Sequence, residues 1–339
     1  MIGHIAYAHG SPCPTVVLDA RQLPQDDRAL TEALTDIRRC LRAAGEGHVL
    51  KMALIRPSEH PMYDLDYRFV QALPGGLDRF ELRGSCGHSI LSAVTAAERS
   101  GMLGALEVGD RVRVNVLNNG DSVVCEIDEI SGDEREFTAY FVRPRAVPVA
   151  RLLLTGEVTT VLEASGARRE VSLISSGNPY AFVDARTLGI RDHSELFMAG
   201  TEFFATLAEI RAAACAHLGW PADGAFPKIA AIMPVEAGRI AARAISVPGW
   251  HPTIALTGAV CLGTAIRTPG TIPWRLAQEV GCIDGLIDIV TPGGNTAVTA
   301  ATPDVAGEPA LTWVSVSRKR VDFHGSFAMQ PSAPCTARS

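Results

Sequence analysis

The sequence predicts a mixed α/β protein of the α+β type, built from two similar domains in which strands surround one buried helix. Three observations support this prediction: the chain repeats short segments of itself, each half holds a fully apolar helical stretch, and alternating strand patterns flank those stretches. The 339 residues suffice for two domains with separate cores. We expect domains over residues 1–146 and 147–328 and a flexible tail over 329–339.

The duplication consists of four short matches that occur in the same order. Thr15–Leu23 and Tyr180–Leu188 share Asp-Ala-Arg-x-Leu, at an offset of 165 positions from Asp19 to Asp184. The other matches pair Asp36-Ile-Arg38 with Glu209-Ile-Arg211, Leu50–Pro57 with Pro227–Pro234, and Gly87 with Gly258. Four matches in one order indicate a duplicated half, with a period far too long for a solenoid. Two similar halves are expected to form a cleft, which is a common place for small-molecule chemistry.

The first half alternates strands with two helices. An apolar stripe over Arg28–Ala44 predicts an amphipathic helix that Gly45 ends, whereas His88–Met102 is apolar all round and predicts a buried helix. The predicted strands are Val16–Asp19, Val49–Ile55, Leu65–Ala72, Phe80–Leu82, Arg111–Leu117, Val123–Ile130 and Glu136–Val142. A helix buried in a sheet-rich half must be wrapped by these strands.

The segment Arg143–Pro148 is expected to end regular strand pairing and to mark the domain boundary, because it contains two prolines. The second half repeats the scheme. It contains predicted strands over Leu152–Leu162, Glu170–Ile174 and Leu311–Ser317, a helix over Glu202–His217 and a buried helix from Gly258.

Composition excludes several classes of partner and site. The chain carries 31 basic and 37 acidic residues, a net charge of −6, and no basic stripe, which argues against nucleic acid. No signal peptide or membrane-length apolar run is apparent, so we expect a cytoplasmic protein without a membrane partner. The eight cysteines form no Cys-x-x-Cys pair, which argues against a zinc site or a disulfide framework. The oligomeric state is left open, with a homodimer as one option.

Cys86 precedes the buried helix and is flanked by Ser85 and Gly87. Backbone N–H groups and the positive end of the helix dipole meet at such a position, which lowers a thiol pKa and favours a bound carboxylate. The alternative is a tight turn with a small buried cysteine.

Lys51 lies within an apolar strand, where alternation can place it on the side of Ala53 and Ile55. An inward-pointing lysine loses solvation, its pKa falls, and its neutral amine becomes a base. The alternative is an edge-strand lysine that points to water. Its counterpart Lys228 poses the same question in the second half.

Thr257 occupies the position that corresponds to Cys86, so the second half has no matching thiol, and Cys261 one turn later is interpreted as a core residue. This asymmetry favours proton transfer between Lys51 and Cys86 over stereo-inversion by two cysteines.

Two loops, His9–Pro14 and Ser175–Pro179, are candidates for carboxylate binding or are ordinary turns. Arg320 is either an anion clamp or a solvated charge.

Ordered motifs along the chain resemble the PrpF family over roughly residues 5 to 328. These motifs are Asp-Ala-Arg-x-Leu-Pro from Asp19, Lys51, Asp66–Gln71, Cys86-Gly87, Ser176–Pro179, Pro227–Ala230, Leu256–Cys261 and Pro269–Thr271. The family comprises cofactor-free isomerases of methylaconitate, methylitaconate and oxalomesaconate, which resemble diaminopimelate epimerase in fold. The resemblance implies two domains, each a β-barrel-like sheet around a central helix, with the active site between them. It also implies that Lys51 and Cys86 are catalytic.

Three departures from the family pattern concern substrate recognition. The first loop reads His9-Gly-Ser-Pro-Cys13 instead of Gly-Gly-Thr-Ser-Lys, His88 replaces the asparagine of Cys-Gly-Asn, and Leu50 replaces a Ser or Thr before the lysine. His88 is a carboxylate donor, a pH sensor or a surface helix residue.

The leading hypothesis is a cofactor-independent allylic isomerase that acts on a small unsaturated di- or tricarboxylate by a 1,3-proton shift. Lys51 and Cys86 transfer the protons, and no metal or organic cofactor is required. The predicted substrate-binding residues are Ser11, Ser85, Gly87, His88, Ser176, Asn178, Thr257, Gly258 and Arg320. The alternatives are an epimerase or lyase of amino or hydroxy acids on the same fold, and a non-catalytic accessory protein.

Overall fold

The computed structural model describes residues 1–73, 75–245, 249–282 and 285–328. The chain divides into two compact units. Unit 1 contains Met1–His9, Cys13–Phe137 and the chain from Arg320 onward, and unit 2 contains Gly10–Pro12 and Thr138–Lys319. The tail predicted over 329–339 lies outside the described residues. In the part of the chain that is described, we find no helix with both the length and the apolar character that crossing a lipid bilayer demands.

Unit 1 contains two helices, α1 and α2, and most of the first eight strands. In chain order the elements are β1 (Ile2–Ala8), β2 (Thr15–Asp19), α1 (Asp27–Ala43), β3 (Lys51–Pro57), β4 (Leu65–Ala72), β5 (Phe80–Glu81), α2 (Gly87–Arg99), β6 (Arg111–Val116), β7 (Asp121–Ser131) and β8 (Glu134–Pro148).

Unit 2 contains the remaining helices and strands. These are β9 (Thr160–Ala164), β10 (Ala167–Ser176), β11 (Asn178–Asp184), α3 (His193–Met198), α4 (Thr201–Leu218), β12 (Lys228–Glu236), β13 (Arg239–Ala244), α5 (Leu256–Ile266), α6 (Ile272–Glu279), β14 (Ile287–Thr291), β15 (Gly294–Ala301), β16 (Asp304–Val305) and β17 (Glu308–Ala328). The end of β17, from Arg320, belongs to unit 1.

The strands of the two units are connected in the same order. In unit 1, β1 and β2 are antiparallel, β2 and β3 parallel, β3 and β4 antiparallel, β4 and β6 parallel, and β6 and β7 antiparallel. In unit 2, the series β10, β11, β12, β13, β14 and β15 follows the identical alternation. The duplication predicted from four sequence matches is therefore present in the topology.

Each sheet packs one helix on either face. In unit 1, alternate residues of β2 and β3, such as Val16 and Met52, join the apolar stripe of α1 in one core. The opposite face of the sheet receives α2, in which every residue from Gly87 to Ala97 is buried. In unit 2, α4 takes the place of α1, and all eleven residues of α5 are buried. The predicted arrangement of a sheet around a central helix in each domain is confirmed.

The repeated Asp-Ala-Arg motif performs the same structural task twice. Asp19 ends β2, accepts a hydrogen bond from the Arg21 backbone N–H and pairs with the Arg21 guanidinium at 2.7 Å. Asp184 ends β11, accepts from the Arg186 N–H and pairs with the Arg186 side chain at the same distance. The motif therefore caps a short 3₁₀ turn after the strand, which explains its repetition without a catalytic role.

The predicted boundary at residue 146 differs from the observed one. Strand β8 runs unbroken through Pro144 and ends at Pro148, and the chain passes from unit 1 to unit 2 at Phe137 and Thr138. Proline is compatible with a strand where its missing N–H is not required by a neighbour. Strand β17 likewise continues past Ser317 and returns the chain to unit 1 at Arg320.

Candidate active site

Lys51 begins β3, which lies inside the sheet of unit 1. Its backbone is in register with Thr15 of β2 on one side and with Gln71 of β4 on the other. Only 6% of the residue is exposed. The alternative of an edge-strand lysine in water is therefore wrong, because β3 has a neighbour on each side and the side chain is buried.

The direction of the Lys51 side chain follows from its neighbour Thr15. Residues in register on adjacent strands point to the same face of a sheet. The Thr15 hydroxyl is hydrogen-bonded to the hydroxyl of Ser89 in α2 at 2.9 Å. Lys51 therefore points to the α2 face, whereas the alternating residue Met52 joins the α1 core on the other face.

Cys86 is the N-cap residue of α2 and has extended backbone angles, φ −135° and ψ 104°. Its side chain is half-buried and makes no capping hydrogen bond to the first turn. The helices α1 and α6, in contrast, are closed by the side chains of Asp26 and Thr271. The start of α2 is thus not closed by its own cap, which suits a helix whose positive end receives an anion.

Tyr67 of β4 fixes the Cys86 peptide and was missed by the sequence analysis. Its hydroxyl donates to the Cys86 carbonyl oxygen at 3.2 Å, and the same carbonyl accepts the Ile90 N–H at 3.0 Å. The Tyr67 hydroxyl also hydrogen-bonds Ser89. Burial, and the negative charge that the neighbouring Cys86 carries as a thiolate, raise the pKa of Tyr67 well above its ordinary value, so this hydroxyl stays protonated.

Ser89 connects the surroundings of the two predicted catalytic residues. It lies three residues after Cys86, which is one helical turn along the same face of α2. It also bonds Thr15, the register partner of Lys51. The strand that carries Lys51 therefore faces the first turn of α2, and Cys86 is the N-cap residue of the same helix. This arrangement supports the predicted pairing of Lys51 with Cys86.

The three predicted neighbours of Cys86 in the sequence are all buried. Ser85 is 4% exposed and His88 is 1% exposed, and Gly87 is buried at the helix start. The alternative that His88 is a surface helix residue is wrong. The periodicity of α2 could have indicated this, because the helix is apolar on every face and has no surface side for an imidazole.

Unit 2 holds a second polar cluster at the corresponding helix start. The Asn178 side-chain N–H donates to the Thr257 hydroxyl at 3.0 Å, and both residues are at least 97% buried. The Ser176 hydroxyl is buried and has no hydrogen-bond partner within the described ranges. Helix α5 begins at Leu256, two residues before the predicted start, so Thr257 lies in the first turn and Ala255 is the N-cap residue.

Gly258 has a packing role that the predicted donor role did not include. Its N–H donates to the Ala255 carbonyl at 2.7 Å and is thus engaged within the helix. A Cβ at this position would contact the Tyr180 hydroxyl and would lie 2.5 Å from Tyr180 Cζ. Glycine is therefore required by the close approach of Tyr180, and this geometry does not support Gly258 as a substrate N–H donor.

Ser11 belongs to unit 2 through the loop Gly10–Pro12. The Thr253 hydroxyl donates to the Gly10 carbonyl at 2.9 Å, and Ser11 is 3% exposed. Thr253 also donates its backbone N–H to His251 Nδ1 at 3.2 Å, which fixes Nδ1 as an acceptor. The altered first loop is thus held against the segment that precedes α5.

Arg320 is an exposed residue that is already paired with carboxylates. Its Nε donates to Glu136 at 2.8 Å, and Glu134 lies 3.7 Å from the guanidinium. Two acidic neighbours offset its charge, so this arrangement does not support the predicted anion clamp.

The core cysteines contrast with Cys86. Cys125 and Cys261 are both fully buried, and burial raises the pKa of each thiol to about 12. The interpretation of Cys261 as a core residue agrees with this environment. A thiol of this kind is chemically inert near neutral pH.

Three side chains in unit 1 have ligand atoms close enough for a metal ion. These atoms, from His9, Glu134 and Asp322, lie within 4.8 Å of one another. His9 Nε2 is hydrogen-bonded to Asp322 at 2.8 Å, and Glu134 is close to Arg320. These pairings account for the cluster without a metal ion.

Replacing Tyr67 by phenylalanine is expected to lower kcat about 2- to 10-fold with little change in KM. The substitution removes one hydrogen bond to the Cys86 peptide, and such a bond contributes about 0.5–1.5 kcal/mol. Tyr67 is 0% exposed, so it acts behind the site rather than on the substrate. Steady-state kinetics measure the split, and an effect confined to KM would contradict the positioning role.

Comparison with known proteins identifies the family. The model of the family described as PrpF protein matches residues 42–326. The chain is 25% identical to the 3-methylitaconate isomerase of Eubacterium barkeri, covering 87% of this chain and 89% of that protein. It is 23% identical to a (4E)-oxalomesaconate Delta-isomerase of Novosphingobium, covering 80% of each chain.

Two solved structures support the fold. A methylitaconate-delta-isomerase superimposes with a TM-score of 0.68 at 22% identity, covering 96% of this chain and 95% of that one. A probable proline racemase from Agrobacterium radiobacter gives a TM-score of 0.64 at 17% identity, covering 98% and 94%. The predicted epimerase-like fold is therefore confirmed. Because the family model spans most of the sequence, including both Lys51 and Cys86, the chain belongs to the PrpF family.

Proposed function

We propose that this protein is an isomerase of small unsaturated di- or tricarboxylates that moves a carbon–carbon double bond by a 1,3-proton shift, with Lys51 and Cys86 as the proton-transfer groups. The observation that carries the proposal is the burial of Lys51 on the α2 face of β3, beside the helix start where Cys86 lies. A buried amine and a half-buried thiol around one helix terminus are suited to acid–base chemistry on an anion.

In the proposed reaction, the Lys51 amine removes a proton from the carbon next to a carboxylate or carbonyl group. The electron pair moves into a dienolate, and the Cys86 thiol protonates the far carbon, so the double bond shifts by one position. An ammonium and a thiolate remain and exchange their proton directly or through water. The acid and base roles reverse in the opposite direction. Because two side chains supply both transfers, the proposed reaction needs no cofactor.

The start of α2 supports stabilisation of the dienolate. Backbone N–H groups and the helix dipole favour negative charge at this end, and the Cys86 side chain does not cap them. Tyr67 holds the peptide that carries Cys86 in place. In unit 2, the hydroxyl of Ser176 and the Asn178–Thr257 pair are further candidates for carboxylate recognition.

The substrate class rests on the relatives. Their names specify 3-methylitaconate and oxalomesaconate, which are unsaturated acids with several carboxylates. The altered loop around Ser11 and the buried His88 distinguish this chain from the family pattern, and we propose that these two features select the particular acid.

The test is incubation of the protein in D₂O with a panel of aconitate-, itaconate- and oxalomesaconate-like acids, followed by proton NMR. Migration of the alkene signal, with deuterium at the newly protonated carbon, is the expected result for at least one acid. A folded protein that moves no alkene in the panel would overturn the proposed substrate class.

The same experiment separates the epimerase alternative. An epimerase exchanges the α-hydrogen without moving a double bond, whereas an isomerase must move it. The two-thiol version of that alternative is not favoured, because Thr257 stands where a second thiol would be required.

A further inference from the structure

Lys319 is a buried cation between two exposed arginines of β17. Only 4% of Lys319 is exposed. On either side, Arg318 is paired with Asp288 at 3.0 Å and Arg320 with Glu136 at 2.8 Å. The side chains of Arg318 and Arg320 thus pair with acidic partners at the surface, whereas the side chain of Lys319 is directed into the protein.

A break in the alternation of β17 places Lys319 inside. Val314 faces α5, because a Cβ on Gly263 would lie 3.2 Å from it. Val316, two residues later in the strand, is buried on the same face. Continued alternation would bury Arg318 and expose Lys319. Arg318 instead has a φ of +59°, an unusual value for a residue with a side chain, and the buried phase passes to Lys319. Such strained, bulge-like positions redirect side chains and are common near functional sites.

No carboxylate neutralises Lys319 among the residues that the structure describes. The side chain takes part in no ion pair or hydrogen bond there, and desolvation alone lowers its pKa, to about 8. At pH 7, Lys319 is therefore still an ammonium in most of the molecules. Because an uncompensated buried charge is costly, its retention favours an external anion as the partner.

Lys319 lies at the end of unit 2 where α5 begins. Ser317 is in register with Ala297 of β15, so Lys319 continues toward the start of that strand. Gly293, just before β15, packs against the segment leading into α5, since a Cβ there would lie 2.7 Å from the Pro252 carbonyl oxygen. The Ser176 hydroxyl and the Asn178–Thr257 pair belong to the same end, because Thr257 is in the first turn of α5.

We propose that Lys319 and the polar groups at the start of α5 form an anion subsite that binds one carboxylate of a small polycarboxylate. The ammonium supplies the charge, and the Ser176 and Thr257 hydroxyls supply uncharged hydrogen-bonding groups beside the positive end of the helix dipole. The choice of a polycarboxylate as ligand rests on the proposed function, whereas the position of the subsite does not.

Binding of propane-1,2,3-tricarboxylate, an unreactive saturated probe, tests this subsite by calorimetry. Lys319→Met is expected to weaken the affinity at least tenfold while the Tm of the unliganded protein stays the same or rises, because methionine fills a similar volume without a buried charge. Arg275→Met is the matched control. Arg275 is an exposed cation of unit 2 paired with Glu170, so its loss changes the net charge equally and should leave the affinity unchanged.

Two further variants test whether the charge of Lys319 is required. Lys319→Arg preserves the charge and should retain more affinity than Lys319→Gln. Equal affinities for Lys319→Met and the unmodified protein, or a lowered Tm with unchanged affinity, would overturn the subsite and make Lys319 structural. Equally tight binding of inorganic phosphate would overturn the carboxylate assignment. The calorimetric measurement requires no turnover, so failure of the proposed catalysis is distinguishable from failure of this subsite.

Discussion

Replacing Lys51 by methionine or Cys86 by alanine is expected to reduce turnover about 10²- to 10⁴-fold, the range typical for loss of a general acid or base. Lys51 is buried inside the sheet, and Cys86 is the N-cap residue of the helix that the lysine faces. Turnover is measured by the NMR assay with whichever acid the protein accepts.

The double variant is expected to lose little more activity than either single variant. In the proposed mechanism Lys51 and Cys86 act on one proton path, and residues that act as a unit are strongly non-additive. Deuterium exchange gives a second readout. If the remaining group still abstracts a proton, one single variant should label the substrate without moving its alkene, and this outcome identifies the base for that direction.

The duplication provides matched controls. Lys228 is the register partner of Tyr180 in β11, as Lys51 is of Thr15 in β2, but it lies in unit 2 and is only half-buried. Cys261 lies in α5 with a thiol whose pKa burial raises to about 12. Lys228→Met and Cys261→Ala should therefore keep turnover close to that of the unmodified protein. Equal losses in the control and test variants would contradict the assignment. A biological role that survives the loss of Lys51 and of Cys86 would support a non-catalytic accessory protein instead.

Much of the fold could be predicted because it depends on local patterns. The all-round apolar character of α2 predicted its burial, and the Asp-Ala-Arg repeat revealed the duplication. The predicted strand ends at Val142, whereas β8 continues to Pro148. Prolines usually end strand pairing, and whether a strand tolerates them depends on which N–H groups the neighbouring strand requires.

The site could be predicted only where its residues resemble a known pattern. Tyr67 precedes Cys86 by 19 positions in the sequence, and its hydroxyl contacts the Cys86 carbonyl oxygen. No local periodicity reveals such a contact. The burial of Lys319 could not be predicted, because Lys319 lies in a run of three cations and such a run normally indicates a solvated segment. Its burial depends on the positive φ of Arg318, a backbone conformation that the residue pattern does not reveal.

Gly258→Ala is expected to destabilise the protein by about 1–3 kcal/mol, although alanine normally stabilises a helix relative to glycine by about 1 kcal/mol. The new methyl group would overlap the Tyr180 hydroxyl and Cζ and would lie 3.0 Å from Ile254 Cγ1. Tyr180 is 1% exposed and its ring is stacked on Phe182 with centroids 5.5 Å apart, so it has little room to move. The start of α5 must therefore shift.

Gly263→Ala in the same helix is the matched comparison for that variant. Its Cβ would lie 3.2 Å from Val314 and 3.4 Å from Val298, a tight but far smaller overlap, so the helix-propensity gain should offset most of the cost. Denaturant unfolding measures both variants. In a Tyr180→Leu background the cost of Gly258→Ala should fall, because the overlapping ring is gone and contacting residues are not additive. Equal stability of the two alanine variants would show that the close approach of Tyr180 does not constrain the start of α5. The presence of glycine at position 258 would then need an explanation other than packing.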